Sequence, residues 1–146
     1  MSRLPAFSLA VIVVLAAVAV GCGEEGAASG ATVSVYAAAS LCGEARKGAG
    51  AAGDLEVRVV CLPPRAGGEG ALASAGADAR RATEDSTSVA FLEAPGPTAK
   101  FSQSVVESAD VAWLETSSAS TAMRRVVKAL EGGSSSPRKA VLDEVG

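Results

Sequence analysis

The chain predicts an α/β fold, a parallel sheet with helices on both faces, and three observations carry that expectation. Short apolar runs alternate with helical patterns of similar length from Ala31 to the C-terminus, the order that gives crossover-connected parallel strands. Two of the runs, "VRVV" and "VAFL", are nearly continuous in apolar character, interrupted only by Arg58, which fits strands buried on both faces. At 146 residues, 49% of them hydrophobic but only 3% aromatic, the chain can fill one core, and must fill it with Ala, Val and Leu.

The elements follow in order. "TVSVYAA" is a β-branched apolar run and reads as the first strand; "LCGEARKGAGAAG" is helical in spacing but interrupted by Gly. "LEVRVVCLPP" is a second strand, stopped by a Pro pair that cannot continue a ladder. "ALASAGADARRATEDS" is a helix whose Arg80/Glu84 and Arg81/Asp85 pairs, at i,i+4 spacing, belong on a solvated face. "SVAFLEA" is the third strand. "TAKFSQSVVESAD" predicts a helix with Phe101, Val105 and Val106 or Ala109 on one stripe, and "VAWLETSS" a fourth strand. "STAMRRVVKALEGG" places Met123, Val126, Val127 and Leu130 on one helical face and stops at a Gly pair. "SSSPRKAVLDEV" restarts with Ser capping and Pro137 in the first turn.

The region before the fold reads as an address. "MSRLPAFSLAVIVVLAAVAVGC" has one positive charge at Arg3, an apolar run from Ala6 to Val20 and small residues before Cys22, the layout of an export signal. "AVGC" resembles a lipobox, with Ala19 where Leu is usual, which makes Cys22 the lipid attachment site. The competing reading is an uncleaved membrane helix, which the apolar length barely permits, since spanning takes about 20 residues. The expected organisation is a lipoprotein signal peptide over 1–21, a flexible tether over 22–31 and a single lobe over 32–146. That places the chain in the cell envelope, anchored to the outer face of the cytoplasmic membrane.

Three cysteines in an exported chain leave an odd one. With Cys22 lipidated, Cys42 and Cys61 form the natural pair. Cys42 follows the first strand and Cys61 ends the second, so parallel neighbouring strands would bring both thiols to one edge of the sheet. The alternative is a reactive thiol, but no His and no adjacent Cys is present to lower its pKa.

Composition also narrows function. A formal charge of −3 gives no basic field for nucleic acid. His is absent, which removes the commonest general base and metal ligand and leaves no residues to assign to a catalytic or metal centre; no cofactor is implied. "GAGAAG", residues 48–53, matches G-x-G-x-x-G, but it ends a helix and feeds a strand, whereas a dinucleotide site needs the reverse.

In a doubly wound sheet the ligand crevice lies beyond the carboxyl ends of the strands, where strand order reverses. The loops at those ends are "AASLC", "LPPRAGG", "EAPGPT" and "ETSSAS". Within them Gly96, Thr98, Ser117 and Ser118 could hold a solute carboxylate, and Glu93 or Glu115 an ammonium group. The competing reading makes the hydroxyls helix caps and the carboxylates solvated strand ends. Trp113 could stack on a solute or anchor the core. Arg124, Arg125 and Lys128 form a basic helical face, read as solvated or as a membrane-surface contact.

The exported start, "VSVYAAASLCGEARKGAGAAG", the passage from "GADARRATEDSTSVAFLEAPGPTAK" through "FSQSVVESADVAWLETSS", and the tail "AMRRVVKALEGGSSSPRKAVLDEV" together resemble the type I periplasmic solute-binding proteins, the branched-chain amino-acid receptors of ABC importers. The resemblance implies a Rossmann-like lobe, a small polar solute such as an amino acid, and a permease as partner. Asp110 stands where the family usually has Gly, and Gly96-Pro97-Thr98 where it typically has Ser-Gly-Ala; Pro97 removes a backbone donor. The chain passes from the fourth strand almost directly to the final helices, as if the family's second lobe had been removed. Hence the expectation is a lipid-anchored solute-binding protein reduced to one lobe and not an enzyme. The alternative is an interaction protein that docks to a membrane partner, or to a second copy of itself as a homodimer, through the surface the missing lobe would cover.

Overall fold

The computed structural model of the protein describes residues 30–145. The expected signal peptide, Cys22 and all but the end of the expected tether lie outside the described residues. Five strands, β1 (Thr32–Ala37), β2 (Ala51–Ala52), β3 (Leu55–Cys61), β4 (Ser88–Glu93) and β5 (Ala112–Glu115), form one sheet in the order β2-β3-β1-β4-β5. The pairs β1–β3, β1–β4 and β4–β5 are parallel. Five α-helices connect and cover them: α1 (Cys42–Lys47), α2 (Ala71–Glu84), α3 (Ala99–Glu107), α4 (Ala119–Glu131) and α5 (Pro137–Val145). This is the α/β architecture of a Rossmann-like lobe.

The two faces of the sheet take alternate residues of the same strands, as the pleat requires. Val33, Val35 and Ala37 of β1, Ala90 and Leu92 of β4, and Ala112 and Leu114 of β5 pack with Ala45 of α1, Met123, Val126 and Leu130 of α4 and Val141 of α5. Tyr36, Phe91 and Trp113 point the other way, against Ala79 and Ala82 of α2 and Val106 of α3. Phe91, Leu92, Met123 and Val126 are wholly buried, and each such side chain stabilises the fold by roughly 1.5–3 kcal/mol. A bulge between Ser34 and Val35 shifts the β1–β4 register at Val89.

Structure and sequence part at three places. In "LCGEARKGAGAAG" the interruption by Gly holds an unexpected strand: α1 stops at Lys47, and the chain turns into β2, which pairs antiparallel with β3. Gly48 has to be small because a Cβ there would lie 2.9 Å from the Cβ of Met123. Gly53 opens the two-residue hairpin turn with φ +60, a conformation that costs Gly nothing. The face of α3 is rotated from the expected stripe. Ser102 and Val106 are buried while Phe101 is 44% exposed and lies over Gly76 of α2. Finally, α2 ends at Glu84, so Asp85 is not part of an i,i+4 pair; it accepts hydrogen bonds from Tyr36 Oη at 3.0 Å, Thr87 Oγ1 at 2.7 Å and Thr87 N at 2.9 Å.

The second strand's predicted neighbour relation holds. Ala37 of β1 is in register with Cys61 of β3, and Cys42, at the start of the helix that follows β1, is joined to Cys61 by a disulfide with a Cα–Cα distance of 5.4 Å. Asp110, where Gly was expected by resemblance, adopts φ +55, the left-handed turn that lets the chain leave α3 and enter β5. Pro137 opens α5, whose Arg138 donates to the carbonyl oxygens of Ser88 at 2.7 Å and Asp85 at 2.8 Å. That guanidinium ties the last helix to the amino-terminal end of β4.

Candidate functional site

The sheet reverses its winding between β1 and β4: from β1 the chain crosses to β3 on one side, and then back to β4 on the other. The loops that leave the carboxyl ends of β1 and β4 therefore diverge, and a cleft of about 320 Å³ opens between them. Ala38, Ala39 and Ser40 form one wall, residues 94–98 the opposite wall, and Pro63 and Arg65 from the loop after β3 close one side.

Glu93, the last residue of β4, sits at the base. The strand is buried at all its positions, and Glu93 is only 2% exposed, so its carboxylate must be paired. Arg65 supplies the pair: Nη1 donates to Glu93 Oε1 at 3.0 Å and Nη2 to Oε2 at 2.8 Å, the two-pronged geometry that a planar guanidinium gives a carboxylate. Arg65 Nε donates to Asp78 Oδ2 at 2.9 Å, and Nη1 also reaches Thr98 Oγ1 at 3.1 Å. Ser102 Oγ, on the buried face of α3, adds a 2.7 Å bond to Glu93 Oε2, and the N–H of Ala94 a 3.1 Å bond to Oε1. Burial disfavours the charge on Arg65, but the hydrogen bonds it donates to Glu93 and Asp78, together with their negative charges, outweigh it and raise its pKa. The guanidinium is permanently charged.

Of the residues expected to form a site, Glu93, Gly96 and Thr98 meet in this cleft. Thr98 stands at the start of α3 but makes no capping bond through its side chain; its hydroxyl faces Arg65 instead. Glu93 is neither solvated nor free, because Arg65 already occupies both of its oxygens. Ser117 and Ser118 do not line the cleft. They follow β5, the edge strand, where Ser118 Oγ exchanges hydrogen bonds with Ser120 and Thr121. The first N–H of α4, at Ala119, is capped from α1 by Glu44 Oε2 at 3.0 Å. Glu115 is exposed beside Ser117. Trp113 packs half-buried against the Phe91 side of the sheet, away from the cleft, and its indole N–H is buried without a partner among the described residues. The basic face of α4 is partly engaged: Lys128 pairs with Glu144 at 3.0 Å, and Arg125 donates to the Glu144 carbonyl.

Arg65 and Asp78 are the residues that reading the sequence missed. Both left a signal. Asp78 shares a helical stripe with the buried Ala75, Ala79 and Ala82, and an acid on an apolar stripe requires a cation. Arg65 is the cation in the strand-end loop "LPPRAGG". Among the described residues no group of three or more His, Cys, Asp or Glu side chains is placed to hold a metal ion. Comparison with protein-family models, with curated proteins and with solved structures finds no match to this chain.

Proposed function

We propose that the protein is an exported, lipid-anchored solute-binding module of the cell envelope, built like one lobe of the amino-acid receptors that serve ABC importers, and that its cleft receives a small polar solute. The observation that carries this reading is the coincidence of a 320 Å³ cleft with the reversal point of the sheet, lined by Glu93, Gly96 and Thr98. Its volume lies at the small end of ligand sites. The point of attachment agrees with it. The chain enters the fold at Gly30, at the amino-terminal end of β1, whereas the cleft lies at the carboxyl end, so a tether from a lipidated Cys22 would join the lobe at the end opposite the cleft. One lobe supplies half of a clamp, which sets the expected affinity near millimolar, about −4 kcal/mol.

Thermal melting of the full chain in neutral detergent, with and without a panel of amino acids, amines and small organic acids, tests the reading. A solute at ten times its Kd stabilises the folded state by about 1.4 kcal/mol, and absence of any shift across the panel would refute it. A second reading, self-association, draws on Leu72 and Phe101, which are 53% and 44% exposed on the adjacent helices α2 and α3. Light scattering on the same samples distinguishes the two: a solute-independent dimer favours association, a ligand-stabilised monomer the binding module.

A further inference from the structure

The charges around the cleft identify the kind of solute group it takes. Two carboxylates, Asp78 and Glu93, share one guanidinium, and both carboxylates are more than nine-tenths buried. Arg65 spends its Nε, Nη1 and Nη2 groups on them and on Thr98, and no Lys or second Arg lines the cleft. The lining therefore carries one uncompensated negative charge. Four of the five Arg65 N–H groups are engaged, so a solute carboxylate could take only the second Nη2 N–H, facing the charges of Asp78 and Glu93, or draw Arg65 away from Glu93, which would strand a carboxylate that is 2% exposed, a strongly unfavourable exchange. Asp78, by contrast, uses only Oδ2 in its bond to Arg65; its Oδ1 accepts no hydrogen bond among the described residues, and the residue lines the cleft. The rim offers Thr98 and the exposed Ser40 as neutral partners.

Resting on the proposal that the cleft binds a solute at all, the geometry points to a further assignment: the recognised group is a cation, an alkylammonium or guanidinium, which pairs with Asp78 Oδ1 beside the Arg65–Glu93 pair, and the solute needs no carboxylate. This departs from the zwitterionic amino acid that resemblance implies, since the loop that would receive a carboxylate, Gly96-Pro97-Thr98, has Pro97 in place of a donor.

The test is calorimetric titration of the full chain in neutral detergent with four probes that carry short unbranched alkyl chains: n-butylammonium, 1-butanol, n-butyrate and L-norvaline. Butylammonium is expected to bind about tenfold or more tightly than butanol, the strength of one charge-assisted hydrogen bond, with butyrate weaker still. Butyrate or norvaline binding at least as well as butylammonium would overturn the cation assignment and leave the cleft as a solute site. Butanol equal to butylammonium would overturn it too, since charge would then play no part. Binding by none of the four would refute the solute site and this assignment with it. Asp78→Asn keeps the Arg65–Glu93 pair and removes the excess charge, so it should weaken butylammonium about tenfold; unchanged affinity would refute the role of Asp78. Where that variant fails to fold, the butanol comparison on the unaltered chain decides.

Discussion

Replacing Arg65 with Met is the severest test of how the cleft is held. Methionine keeps the aliphatic bulk and removes four hydrogen bonds: two to Glu93, one to Asp78 and one to Thr98. Glu93 retains Ser102 and the Ala94 N–H as donors, but Asp78 loses its one side-chain partner among the described residues. Breaking a buried pair from one side costs about 3–5 kcal/mol. Arg65 is 18% exposed and the cleft is open to solvent, so the lower end, about 3 kcal/mol, is expected. For a domain of this size that is a fall in Tm of about 12 °C, taking roughly 4 °C per kcal/mol. Urea unfolding of the oxidised chain, with Arg65→Met, Glu93→Gln and the double variant, completes a cycle. Because the Gln amide no longer needs the guanidinium, the double variant should lose at least about 1.5 kcal/mol less than the sum of the single losses. A single variant within about 0.5 kcal/mol of the parent, or strict additivity, would show the triad to be a solvated surface pair and would refute the argument for a buried charge excess.

Three other perturbations bear on the fold. Replacing Cys42 and Cys61 together by Ser opens the 19-residue separation that the disulfide closes, and equilibrium unfolding should record a loss of about 3 kcal/mol on the chain-entropy account; no loss would mean that the reduced chain is already ordered there. Gly48→Ala would normally favour a helix end, but its Cβ would meet that of the fully buried Met123 at 2.9 Å, so a net loss of about 1 kcal/mol is expected in denaturation, and a gain would show that α1 moves freely on α4. For Asp85, burial works against the charged form, but the hydrogen bonds from Thr87 and Tyr36 more than offset it and lower its pKa. Its contribution is therefore present above the unfolded-state value of about 3.9 and lost as pH falls through the lower folded value. Asp85→Asn should narrow its deficit against the parent between pH 6 and pH 2 in urea titrations; a deficit constant with pH would refute the assignment.

The long strands were legible as short β-branched and apolar runs bounded by turn residues; β4 is buried along its whole length as expected, whereas β3 is not buried on both faces, because Glu56 and Arg58 are exposed. The hairpin strand β2 was not legible. Ala51 and Ala52 carry no propensity, and their pairing depends on the turn at Gly53 and on β3 lying alongside. The stripe on α3 was misread for a chemical reason. Apolar periodicity favours burying Phe101, but the position facing the sheet goes to Ser102, which completes the donors around Glu93, and Phe101 is left to cover Gly76. The place of the cleft followed from the topology alone, and with it Glu93, Gly96 and Thr98. Ser117 and Ser118 do not line the cleft because the loop after β5 stands at the sheet edge, two strands from β1. The ion triad was hidden because Arg65 and Asp78 sit in unlike contexts, a Pro-rich loop and an alanine-rich helix, and only the folded chain brings them together.

The disulfide and the ion triad act on the same wall of the cleft. Cys42 follows residues 38–40, which line one side, and Cys61 precedes Pro63 and Arg65, which close another; the covalent bond fixes the spacing between them. From the far side, Glu93 and Thr98 hold the tip of that same loop through Arg65. A clamp of two lobes gains its solute contacts by closing, and spends part of the binding free energy on the motion. Under the proposed function a single lobe makes no such motion. Its remaining means of raising affinity is preorganisation, because walls already in place lose little entropy when a solute enters. Cross-links converging on the β3–α2 loop, one covalent and one ionic, provide that stiffness, and they do so while leaving Asp78 Oδ1 free to meet a cation.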